Sequence, residues 1–135
     1  MTAIVSDNDV IGHLALLIEI FQSDTWRDLW LELNCRLETF GSLGLARDSR
    51  DSEIWHMCQI HQTILITGNR NAMGADSLES TLTAHNTAYS LPVITLANPG
   101  RVMTDKQYAF MVAERLLDYL VNIEAYRGVG RLYVP

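Results

Sequence analysis

A chain of 135 residues, 48% hydrophobic and 19% charged, is sized and composed for one globular domain, spanning 1–135, with no compositional case for disorder. Its formal charge of -6 argues against broad, charge-driven nucleic-acid binding, which needs Lys and Arg clustered on one face, and leaves room for a nucleic acid bound locally through a metal ion. Cys35 and Cys58 lack CxxC spacing, and the N-terminal MTAIVSDND has neither a basic region nor an extended apolar one, so free thiols and a soluble cytoplasmic protein without a membrane span are expected.

Ala3–Ser6 reads as a short strand that stops at the polar SDND. GHLALLIEIFQ follows with apolar residues at helical spacing, and a second helix is predicted over 25–33, where the i, i+4 spacing puts Trp26 and Trp30 in the core. A brief strand is expected over 37–40, ending at Gly41. Ser49 then stands as an N-cap before Asp51 and Glu53, acids that favour a helix start, and Ile54, Met57, Cys58 and His61 continue along one face. Residues 63–67 (TILIT) form a nearly all-apolar run, the pattern of a strand covered on both faces.

After that strand comes a polar loop, and Asp76 with Glu79 fits a capping-box variant opening the helix SLESTLTAHNTA. A further buried strand is predicted over 92–96, then the turn ANPG. The strongest helix spans 105–121, with Tyr108, Met111, Val112, Arg115, Leu116 and Tyr119 in register, and its apolar breadth suggests one face on the sheet and another against a partner subunit. RGVGRLYVP closes the chain as an edge strand.

Alternating strands and helices predict an α/β fold, a three-layer α/β/α arrangement around a mostly parallel central sheet. Ligands of such sheets sit beyond the carboxyl ends of strands where the strand order reverses. That rule selects SDND, TGNRNAMGAD and ANPG. Asp7 and Asp9, Asp51 and Glu53, and Asn69, Asn71 and Asp76 then offer oxygen ligands of the kind hard divalent cations prefer. Three converging carboxylates would repel one another without a cation or a shared proton.

In this order of motifs the chain resembles the PIN-like nuclease superfamily, in which a first strand ends in Asp, a central helix begins with an acid, and a strand ending in Thr-x-Asp leads to another acid. Asp7 matches the first position, DSEIW (51–55) the second, and TGN (67–69) the third, with Asn69 where the family has Asp; Asp76 stands as the fourth acid. The motifs are short, but they cover roughly the whole chain. The resemblance implies a PIN-like, metal-dependent ribonuclease: Asp7, Asp51 and Asp76 as catalytic carboxylates, and Asn69 joining them as ligands of Mg²⁺ or Mn²⁺. Arg70, Asn71 and His13 are the expected contacts to an RNA substrate. A homodimer and an antitoxin-type protein partner belong to the same reading.

Plainer roles fit some of these residues. Asp51 and Asp76 suit helix starts for capping alone, Asn69 and Asn71 suit a left-handed loop, and Arg70 suits a solvated surface. Asn69 also supports a second reading, a PIN-like binding or regulatory module that has lost catalysis. His13, His56, His61 and His85 show neither HxH nor HExxH spacing, so zinc catalysis lacks a motif, and no phosphate-cradling glycine loop is present.

Overall fold

Short apolar runs set the centre of the molecule. In the computed structural model, which describes residues 2–71 and 73–135, five strands form one sheet: β1 (Ala3–Ser6), β2 (Arg36–Glu38), β3 (Ile64–Thr67), β4 (Val93–Leu96) and β5 (Arg131–Val134). Their order is β2-β1-β3-β4-β5 and every neighbouring pair is parallel. β3 and β4 are buried at every residue, which is how an all-apolar strand keeps both faces out of water.

Six helices cover the sheet: α1 (Ile11–Phe21), α2 (Arg27–Leu33), α3 (Asp51–Ile60), α4 (Leu78–His85), α5 (Pro99–Thr104) and α6 (Lys106–Val121). Strand alternation divides the apolar side chains into two cores. Ile4, Ile64, Ile66, Ile94 and Leu96 pack with Leu17 and Phe21 of α1, Trp30 of α2 and Val112, Leu116 and Leu120 of α6. Val5, Leu65 and Val93 pack on the other face with Ile54, Trp55 and Cys58 of α3 and Leu78 and Leu82 of α4. The result is the expected three-layer α/β/α sandwich.

The chain steps from β1 outward to β2, then returns past β1 to β3 and continues to β4 and β5, so the order reverses between β1 and β3. The β1–β2 and β4–β5 connections both run over the α1 face yet step in opposite directions, and are therefore of opposite hand. Compact βαβ units are right-handed in about 98% of cases. Here the exception is the long return through α5, α6 and the 3₁₀ turn Ile123–Tyr126, which lays α6 against α1 before β5 adds to the edge.

Local chemistry moves several expected boundaries. The second strand occupies 36–38, not 37–40, because Thr39 and Ser42 bond each other's backbone and turn the chain into a 3₁₀ helix at Gly41–Leu43. Ser49 accepts from the Ala46 N–H, leaving Arg50 at the cap position of α3. Ser77, one residue after Asp76, caps α4 by accepting from the Ser80 N–H at 3.1 Å. The expected turn at 97–100 instead opens α5, with Asn98 as its cap and Pro99 in its first turn, where proline is tolerated.

Trp30 is buried with its ring 5.0 Å from Phe21, whereas Trp26 is only half-buried at the rim. His61 leaves the buried face of α3 and ends that helix in the open. Among the described residues no helix is long and apolar enough to cross a membrane.

On α6, Tyr108, Val112 and Leu116 are buried, but Met111 is 55% exposed and Arg115 also lies outside, because α1 and the sheet cover only one side of the helix. Leu116→Ala should cost about 2–5 kcal/mol in denaturant unfolding, through lost burial and the cavity left behind. Met111→Ala should stay within about 0.5 kcal/mol of the parent protein.

Candidate functional site

The carboxyl ends of β1 and β3 lie side by side at the point where the strand order reverses, and both end in polar residues. β1 runs into Asp7, whose N–H donates to the Ile66 carbonyl at 2.8 Å and so extends the ladder by one residue. β3 ends at Thr67, a fully buried threonine whose hydroxyl must find a partner. It donates to Asp7 Oδ2 at 2.9 Å and accepts from the Asn69 N–H at 3.0 Å. One hydroxyl therefore fixes both the first carboxylate and the start of the following loop.

Asn69 carries the link to a third element. Its Nδ2 donates to Asp51 Oδ2 at 2.8 Å, at the first residue of α3. Its Oδ1 accepts from the Asn71 N–H at 2.7 Å, and Asn71 Oδ1 accepts in turn from the Met73 N–H at 3.0 Å. These successive side-chain-to-backbone bonds shape the loop. Asp7, Asp51 and Asn69 are thus brought together, with the nitrogen of Asn69, not its oxygen, facing Asp51.

Asp9, which sequence reasoning noted but left out of the candidate set, belongs here too. Its carboxylate accepts from the Gly68 N–H at 3.2 Å. A Cβ at residue 68 would stand 2.9 Å from that carboxylate and 3.2 Å from Pro99, so glycine permits the approach. Although Asp9 is exposed as a residue, its carboxylate is turned against protein, and this desolvation together with the nearby Asp7 charge raises its pKa from the ordinary 3.8. His13 is close enough for its charge to oppose that rise, and its buried Nδ1 has no hydrogen-bonding partner among the described residues.

Asp76 takes a different position. It accepts from Ser52 Oγ at 3.2 Å and pairs with Arg50 at 3.4 Å, so it flanks the start of α3 without joining Asp51. Arg70 donates to the Ala97 carbonyl, and its guanidinium lies 5.9 Å from the centre of the Tyr133 ring. This tethers Arg70 at the end of β4, on the sheet edge that carries the acids.

Beneath the loop lies Arg131, the first residue of β5, with a side chain only 7% exposed. It donates to the Asn69 carbonyl at 2.8 Å and to Thr95 Oγ1 at 2.6 Å, and it pairs with Glu79 at 2.5 Å. Sequence reasoning missed Arg131 and Thr67. The available signals were a charged residue opening an otherwise apolar terminal strand and a hydroxyl closing a fully buried one.

Among the described residues no three His, Cys, Asp or Glu side chains stand close enough together to hold a metal ion by themselves. The donor chemistry nevertheless suits Mg²⁺ or Mn²⁺, since the acids offer only oxygen, and Mg²⁺ commonly uses one or two carboxylates while keeping water or substrate phosphate as its other ligands. Asp7 and Asp9 lie near each other, and burial first and the Asp7 charge second raise the Asp9 pKa. Cys35 and Cys58 are free, with burial pushing each thiol up to about 12, so neither is a thiolate nucleophile at neutral pH.

A carboxyl whose pKa is higher in the folded state binds its proton more tightly there, so its contribution to stability falls as pH rises through the carboxylate range. Asp9→Asn should therefore unfold at a higher temperature than the parent at neutral pH, with the difference vanishing below about pH 3. Arg131→Met should cost about 2–3 kcal/mol in denaturant unfolding, because its charged hydrogen bonds are lost while the half-exposed Glu79 keeps part of its water. No protein-family model, curated protein or solved structure matches the chain.

Proposed function

We propose that the chain is a PIN-like ribonuclease that depends on Mg²⁺ or Mn²⁺. The observation that carries this reading is the bonded path Asp7–Thr67–Asn69–Asp51, with Asp9 beside it, at the reversal point of a parallel sheet. Asp7 and Asp9 would hold the cation, with water or substrate phosphate as its other ligands, and Asp51 stands one bonded step away through Asn69. When bound, such an ion supplies an activated water and stabilises charge developing on the phosphate. Thr67 fixes the orientation of Asp7 and Asn69 that of Asp51, so the carboxylates are set before substrate arrives. Arg70, at the rim, can donate to a phosphate oxygen, and His13 beside Asp9 can hold a proton or a hydrogen bond with its unpartnered nitrogen. Self-association through the exposed side of α6, where Phe110, Met111 and Val121 are open, and an antitoxin-type partner are parts of the same proposal.

A second reading has its own support. The amide of Asn69 donates to Asp51, as a protein group standing in for part of a cation's role, and this favours a binding or regulatory module without catalysis.

Cleavage of single-stranded RNA in the presence of Mn²⁺ or EDTA separates the two. The nuclease reading expects Mn²⁺-dependent cleavage that Asp7→Asn and Asp51→Asn each reduce by about a hundredfold or more, the scale on which removal of a charge-stabilising group acts. It also expects Mn²⁺ at 100 times its dissociation constant to stabilise the fold by about 2.7 kcal/mol. A protein that cleaves nothing and gains no stability with Mn²⁺ is the binding module, and Asn69→Asp should then create cation-dependent stability by placing two carboxylates in contact.

A further inference from the structure

On the α3–α4 face, two histidines separated by 29 positions in sequence meet across two helices. The rings of His56 and His85 have centres 4.9 Å apart and planes inclined at 66°. Both residues are exposed, and their ring nitrogens have no hydrogen-bonding partner among the described residues. The buried Trp55 lies edge-on to His56 at 5.0 Å. The pair lines a cleft of about 520 Å³ between the helices, together with Glu53, one helical turn before His56.

Two imidazoles that share one tetrahedral ion at metal–nitrogen distances of about 2.0–2.1 Å have ring centres about 5 Å apart. The observed separation matches that distance, and rotation of the two exposed rings would bring their nitrogens to one ion with both helices in place. Packing alone accounts for one ring contact, but it leaves two adjacent exposed imidazoles without a hydrogen-bonding partner among the described residues, lining one cleft. Imidazole selects ions of intermediate softness, whereas the carboxylates at the sheet edge select hard ones.

We propose that His56 and His85 form a two-imidazole site for a transition-metal ion of the Zn²⁺, Ni²⁺ or Cu²⁺ class, clipping α3 to α4. Two protein ligands leave the remaining positions to water or an external donor. The ion would tie together the helix that begins with Asp51 and the helix that follows the Asn69 loop. The inference is independent of the nuclease reading, because it uses different residues and a different class of ion.

Calorimetric titration with Zn²⁺ and Ni²⁺ at neutral pH, on the full chain and on His56→Ala, His85→Ala and Asp7→Asn, tests the site. The expected result is an ion whose affinity falls about tenfold or more in each histidine variant and which still binds in Asp7→Asn, where any separate ion at the sheet-edge acids is lost from the titration. Histidine ring signals in NMR, followed as Cu²⁺ is added in small steps, identify the ligands directly. Broadening of His56 and His85 ahead of His13 and His61 supports the clip. Equal broadening of all four, or a histidine variant that binds as tightly as the parent, overturns it.

Discussion

One buried hydroxyl constrains the rest of the candidate site. Thr67 closes a strand with no access to water, so its hydroxyl requires partners within the protein. It finds them in the Asp7 carboxylate and the Asn69 N–H. A valine of similar shape would suit the strand's burial, but it would leave Asp7 without this donor and the loop without its first anchor. The geometry of the acids therefore begins in the hydrogen-bonding requirement of the core.

The topology supplies the second constraint. Parallel pairing places the ends of β1 and β3 next to each other, and reversal of the strand order keeps crossing helices out of the space above them. The unusual hand of the β4–β5 return then has a structural use. By running over the α1 face, the chain lays α6 into the larger core and brings β5 to the free edge of β4, where Arg131 sits against Asn69, Thr95 and Glu79. A buried guanidinium is costly unless it is paired, and here the loop carbonyl and a hydroxyl accept from Nη1, the Glu79 carboxylate accepts from Nε, and Nη2 has, among the described residues, only its ion pair with Glu79. The same contacts hold the loop that carries the candidate residues.

Much of this was legible in the sequence where a residue's local pattern decides its fate. Four-residue apolar runs become strands, and acids directly after a strand or at a helix start fall on the sheet's carboxyl edge, as Asp7 and Asp51 do. The failures lie where a tertiary choice overrides a local one. Asp76 and Ser77 both suit a helix cap, and only the position of Ser80 and the pull of Arg50 and Ser52 separate them. Met111 and Leu116 are equally apolar, and their different exposure follows from the side on which α1 packs. The meeting of His56 with His85 depends on how two helices align over one sheet face, which no spacing within the chain encodes.

The charge balance of the site explains why Asn69 and Asp9 belong in one argument. With an aspartate at position 69, the 2.8 Å contact to Asp51 would set two carboxylates against each other and require a proton or a cation. Asparagine removes that repulsion by presenting a donor. Among the described residues Asp9 has no such donor side chain; it is partly stripped of water and crowded by Asp7, with backbone N–H groups and the neighbourhood of His13 in partial compensation. Asparagine at position 69 thus leaves the electrostatic strain of the site beside β1, where burial and the Asp7 charge raise the Asp9 pKa.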